Sequence, residues 1–207
     1  MGRGRLEAFS DGVIAILITI MVLELKVPEV GASALAEARE RAGSFAALYD
    51  QWHVFLAYVL SFVYLGIYWN NHHHMLHTVQ RVSGSILWAN LHLLFWLSLV
   101  PFATDWMGTY HDRSDPAAAY GMILVCAAIS YTILQARIVA VQGPGSTLAH
   151  AVGRDRKGKL SIGLYLLGIG LAFVDPLLAN ACYALVALIW LVPDSRIESR
   201  LSHAPHD

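Results

Sequence analysis

RLEAFSDGVIAILITIMVLEL, residues 5–25, is the stretch whose reading decides the fold. It opens with charge at Arg5 and Glu7, passes Ser10, Asp11 and Gly12, and then turns almost wholly apolar. Thr19 is the one hydroxyl inside it, and Glu24 stands near its far end. The apolar run over 7–25 approaches the roughly 20 residues that a helix needs to cross a bilayer. Arg3 and Arg5 before it, and Ala32, Ala34 and Ala36 after it, mimic a signal peptide. The apolar core is long for one, and further runs of the same kind follow, so the stretch reads as a retained first span.

The rest of the chain supports that reading. Of 207 residues, 57% are apolar or aromatic and only 14% are charged. Soluble domains carry about 25% charged residues. A soluble chain this short has too little interior for so much apolar surface, whereas a chain embedded in lipid has no such problem. The net charge is -1 and the charges cluster between apolar runs, with no basic tract adequate for nucleic acid. Cys126 and Cys182 both fall inside apolar runs and read as inert thiols rather than a disulfide framework.

Six runs reach or approach spanning length, near 7–25, 52–71, 84–103, 117–139, 160–179 and 178–193. The last two share the boundary DPLLAN, residues 175–180, where Pro176 marks a turn. The expectation is an all-α integral membrane protein with six transmembrane helices per subunit. Residues 1–195 form one transmembrane domain and 196–207 a short tail. With the N-terminus on one side, that side receives Arg3, Arg5, Arg81, Arg137, Arg154, Arg156, Lys157, Lys159, Arg196 and Arg200. The other side receives only Lys26, Arg39, Arg41 and Arg113, so both termini are expected in the cytoplasm. On the outer side, 34–41 has the pattern of a short surface helix, and the loop 104–116 carries Asp105, Asp112 and Asp115 on a rim.

Helix geometry orders the first span. Gly12, Ile16, Thr19, Ile20 and Leu23 share one broad face, and Val13 and Leu17 lie on another. Periodicity does not say which face meets lipid, because both are apolar. Asp11 either caps the helix start or joins an internal polar network. Thr19 either satisfies its hydroxyl on the carbonyl one turn back or, if its face lines a pore, meets an ion or its water. The carbonyls of a continuous helix are already bonded, so such a pore has no carbonyl filter. Its selection rests on bore width, side-chain size and hydroxyls, and apolar rings close it by dewetting.

YWNNHHHMLHTV, residues 68–79, ends the second span. His73 and His77 are one turn apart, and His74 and His77 are three residues apart, so these pairs share a helix face. No cysteine accompanies them and no HExxH pattern exists, so a structural or catalytic metal is not expected. A hydrogen-bond network with Asn70, Asn71 and Asp11 at the cytoplasmic end is the favoured reading. In the third span Asn90 and His92 are polar inside an apolar helix and should find partners on other helices. The fourth to sixth spans offer small residues for close contact, at Gly121, Ala127, Ala128 and in YLLGIGLAF, residues 165–173.

These stretches resemble one family. RLEAFSDGVIAILITIMVLEL is similar to the signature opening of the endolysosomal potassium-leak channels and their bacterial relatives. The Arg-x-x-x-Phe-Ser-Asp pattern stands at Arg5, Phe9, Ser10 and Asp11. WNNHHHML, residues 69–76, and LWANLHLLFWLSLVPFAT, residues 87–104, resemble the same family, and the likeness extends over all six spans. The resemblance implies a homotetramer of six-span subunits, with the pore lined by first helices. It implies Ile16 at a hydrophobic constriction, Ile20 and Leu23 as successive apolar rings, and Thr19 in ion selection. It implies a polar network of Arg5, Ser10, Asp11, His73, Trp88 and Asn90, with the choice among the adjacent histidines 72–74 open. The permeant ion would be K+, with Na+ or other monovalent cations passing where selectivity is modest. No cofactor and no enzymatic step are implied. Two other classes compete: a membrane protein with histidine-ligated metal or haem, and a secondary transporter.

Overall fold

The structure, a computed structural model, describes residues 2–26, 45, 49, 51–152 and 155–191. The surface helix expected at 34–41 and the tail at 196–207 lie outside the described residues. The elements are all helical. They are α1 (Arg3–Ile20), a 3-10 turn (Met21–Glu24), α2 (Trp52–His77), α3 (Gly84–Ser98), α4 (Val100–Thr109) and α5 (Ser114–Gln142). After them come the short α6 (Thr147–Val152), α7 (Arg156–Ala172) and α8 (Pro176–Leu191).

Among the described residues, four helical stretches are long and apolar enough to cross a membrane: Arg3–Glu24, Trp52–His77, Gly84–Thr109 and Ser114–Gln142. The shortest, 22 residues, extends about 33 Å. That matches a hydrocarbon core of about 30 Å. α8 is apolar but has 16 residues, and α7 has 17. Asp175 starts α8 by accepting the Leu177 N–H at 2.8 Å, with Pro176 at the first helical position, where its missing N–H costs nothing.

Two boundaries differ from the sequence reading. α2 runs to His77 rather than 71, because the polar stretch NNHHHMLH stays helical beyond the apolar core. The third span runs on as α4 to Thr109, so Asp105 sits on a helix and not in the loop. There it binds Lys26 Nζ at 3.2 Å. The break between α3 and α4 falls at Leu99, because Pro101 brings no N–H to the carbonyl of Leu97.

α1 packs on α2 and α3 and lies at the edge of the bundle. α3 packs on α5, α5 on α7 and α7 on α8, while α8 also reaches α2 and α5. α8 comes close because Gly121 of α5 and Gly168 of α7 both make room for the ring of Tyr183. Buried hydroxyls tie this side of the bundle together. Thr104 donates to Ser61 at 2.7 Å, and Ser61 shares a 2.8 Å bond with Tyr120. Tyr64 donates to the carbonyl of Tyr183, whose own hydroxyl donates to Ala117 at 3.0 Å.

Candidate functional site: the two faces of the first helix

Leu6, Ser10, Ile14, Leu17 and Met21 recur every three or four residues and form the buried face of α1. Ile14 is 0% exposed. The opposite face stands exposed among the described residues. Ile16 is 57% exposed, Ile20 39% and Leu23 69%, and Gly12, Ala15 and Thr19 are exposed with them. Four apolar or small side chains and one hydroxyl at helical spacing thus stand unpacked on the helix at the bundle edge.

Thr19 Oγ1 donates to the carbonyls of Ala15 at 3.0 Å and Ile16 at 2.9 Å. The two readings of this residue are therefore compatible. With its hydrogen committed to the backbone, the hydroxyl offers only lone pairs outward. Such an oxygen can coordinate a cation and cannot donate to an anion.

The buried face carries the polar contacts. Asn90 of α3 donates through Nδ2 to Ser10 Oγ at 2.9 Å, and Ser10 donates to the Leu6 carbonyl at 2.9 Å. The Oδ1 of Asn90 meets His72 Nε2 at 2.7 Å. Ser10, His72 and Asn90 are all fully buried. His72, rather than His73, is thus the histidine bonded to Asn90. A neighbouring helical residue points about 100° away, so only one of the pair can face α3. His73 instead turns to α1, with Nδ1 3.5 Å from Asp11 Oδ2, while Trp69 Nε1 donates to Asp11 Oδ1 at 3.1 Å.

Two residues expected in the network stand apart from it. Arg5 is exposed and has no partner among the described residues of the protomer, and Asp11 is engaged by Trp69 and His73 instead. Trp88 is 76% exposed. His92 does find another helix, with Nδ1 3.2 Å from Ser130 Oγ on α5, and accepts from Trp96 Nε1 at 3.1 Å. Sequence reasoning missed Trp69, Tyr120 and Tyr183. Tyrosines in a fourth and sixth apolar run were the available signal, since a buried phenol needs a partner. Among the described residues, no three His, Cys, Asp or Glu side chains come together as a metal site.

The sequence profile of the family described as "Endosomal/lysosomal potassium channel TMEM175" matches residues 5–101, which contain α1, α2 and α3. A potassium channel of Chryseobacterium sp. (strain P1-3) is 55% identical over 201 residues, covering 97% of this chain and 98% of that one. A potassium channel of Streptomyces collinus is 34% identical over 217 residues and covers 98% of each. The crystal structure of a lysosomal potassium-selective channel TMEM175 homolog from Chamaesiphon minutus superposes with a TM-score of 0.79 at 29% identity. That match covers 92% of this chain and 96% of the other. A signature opening, an apolar helix set of membrane length and relatives alike from end to end therefore agree: this all-α, multi-pass membrane protein belongs to the TMEM175 family of potassium channels.

Proposed function

We propose that copies of this chain assemble as a homotetramer in which the unpacked faces of the four α1 helices line a passive, potassium-permeable pore. The observation that carries the reading is the division of α1. Ile14 and Met21 are sealed in the bundle, while Ile16, Thr19, Ile20 and Leu23 stand exposed on the opposite face. Around an axis, Ile16, Ile20 and Leu23 form apolar rings that exclude water when narrow. The Thr19 ring supplies the oxygens that replace part of an ion's hydration shell. Ala8, Gly12 and Ala15 are small and exposed, which suits close approach between helices of neighbouring copies. The relatives that match from end to end are potassium channels, and this supports the choice of ion.

The reading includes six spans, with α7 and α8 as the last two, and both termini in the cytoplasm. The basic residues of 154–159 and of the N-terminus then share one side. Ser10, Asn90 and His72 tie α1 to α2 and α3, and Asp11, Trp69 and His73 hold its start. Arg5 and Trp88, both exposed in the protomer, face neighbouring copies. No bond is made or broken, so the protein needs no catalytic residue and no cofactor.

Purified protein in a planar bilayer between potassium and sodium solutions tests the proposal. The expected result is a reversal potential displaced toward the potassium equilibrium value. Folded protein that passes no cation current, or that passes chloride equally well, contradicts it. Ile16→Asn should raise the current several-fold by easing dewetting, and an unchanged current would remove Ile16 from the constriction.

A further inference from the structure

His77, Glu7 and Arg3 have no part in the pore just described. Glu7 and Asp11 stand one turn apart on α1, and His73 and His77 stand one turn apart on α2. Packing of α1 on α2 sets the two pairs face to face. His73 Nδ1 lies 3.5 Å from Asp11 Oδ2, and His77 Nδ1 lies 3.9 Å from Glu7 Oε1. The other two ring nitrogens turn toward each other, with His73 Nε2 and His77 Nε2 3.1 Å apart. The rings are crossed at 76°.

In the neutral rings one assignment has His73 Nδ1–H facing Asp11 and His77 Nε2–H donating to His73 Nε2, which leaves His77 Nδ1 without a hydrogen toward Glu7. Glu7 Oε1 faces Arg3 Nε at 3.4 Å in addition. The two Nε2 atoms face each other on one side of the pair, and a carboxylate stands behind each ring on the other. A cation held by both Nε2 atoms would take the place of their shared hydrogen and turn both Nδ1–H groups onto Asp11 and Glu7.

We propose that His73 and His77 bind an exchangeable divalent transition-metal ion of the Zn2+ and Cu2+ class through their facing Nε2 atoms. Two nitrogens bound to zinc at about 2.0–2.1 Å with a tetrahedral angle stand about 3.3–3.4 Å apart. The observed 3.1 Å is within a few tenths of an ångström of that bite. Imidazole pairs favour zinc, copper and nickel, whereas potassium, magnesium and calcium take oxygen ligands. The carboxylate behind each ring is the outer-shell partner that metal-binding histidines use to fix their tautomer. The His73 and His77 side chains are 35% and 49% exposed, which leaves an entry path and room for water on the metal. Two protein ligands fall short of the three or four of a resident centre, so the ion comes and goes and is no cofactor. Its place matters because Asp11, behind His73, also holds Trp69 at the start of α1.

The test is binding, so its outcome stands apart from whether the protein conducts. The full-length chain without a histidine tag, in detergent, is titrated with Cu2+ and read by electron paramagnetic resonance. Zn2+ affinity is measured by competition with a chromophoric chelator. The expected result is one Cu2+ per chain with two nitrogen ligands, and His77→Gln abolishes it. Glu7→Gln keeps both rings and weakens Zn2+ about 10-fold or more. His74→Gln, on the same turn, leaves both signals unchanged. Copper bound elsewhere, for instance at His203 or His206 in the tail, survives His77→Gln. A signal equal in wild type and His77→Gln, no copper bound in wild type, or Glu7→Gln binding like wild type overturns the proposal.

Discussion

Two polar seams cross the apolar interior, and they are built differently. The first runs from His72 through Asn90 to Ser10 and ends on α1. Its inter-helix links are bonds between side chains. The second joins α2, α4, α5 and α8 through Ser61, Thr104, Tyr120, Tyr64 and Tyr183, and two of its tyrosines donate to backbone carbonyls of other helices. A phenol anchored on a foreign carbonyl fixes the relative depth of two helices. A chain of three side chains fixes only their mutual distance and leaves the helix at its end some freedom to turn. The contrast assigns the tyrosine seam to the scaffold and the Ser10–Asn90–His72 seam to the helix that lines the proposed pore.

Four substitutions break or sharpen this contrast, in order of decreasing effect on stability. Gly121→Leu puts a side chain where the Tyr183 hydroxyl lies, so α5 and α8 must separate. It should abolish folded, monodisperse protein by size exclusion. Full retention of folded protein would mean that this contact does not set the helix spacing. Asn90→Leu leaves the buried His72 Nε2 without a partner and removes the donor to Ser10, which keeps only its bond to the Leu6 carbonyl. It should cost about 1–2 kcal/mol, read as a lower unfolding midpoint in detergent. Tyr120→Phe removes one bond, to Ser61, and should cost about 1 kcal/mol or less while leaving the reversal potential unmoved. A shifted reversal potential in that variant would erase the division between scaffold and pore seams. Thr19→Ala loses bonds only to its own helix and should change stability by less than about 0.5 kcal/mol. Its effect should fall on ion choice, moving the reversal potential toward zero between potassium and sodium.

Much of this was legible in the sequence, for identifiable reasons. Helical spacing alone grouped Ile16, Thr19, Ile20 and Leu23, and the structure leaves all four on one exposed face. Spacing did not choose between lipid and pore for that face, because hydropathy is the same for both. The end of α2 was missed because hydropathy falls at Asn70 and Asn71, whereas the helix continues on hydrogen bonds that hydropathy does not sense. The histidine bonded to Asn90 depends on the rotation of α2 against α3, a tertiary quantity absent from three identical letters in a row. The tyrosine seam was hidden in apolar runs, where a phenol scores like a hydrophobe until its hydroxyl is given a partner.

The central claim is that the exposed face of α1 meets water while another equally exposed apolar face meets lipid. Leu23 on α1 and Leu188 on α8 offer that comparison, at 69% and 60% exposure in the protomer. Leu23→Cys and Leu188→Cys would each be made with Cys126 and Cys182 replaced by alanine. Cation current would then be recorded while a membrane-impermeant, positively charged thiol reagent is applied. The account predicts that Leu23→Cys is blocked and Leu188→Cys is not. Block at Leu188→Cys alone, or current untouched at Leu23→Cys after the thiol is shown to have reacted, would contradict it.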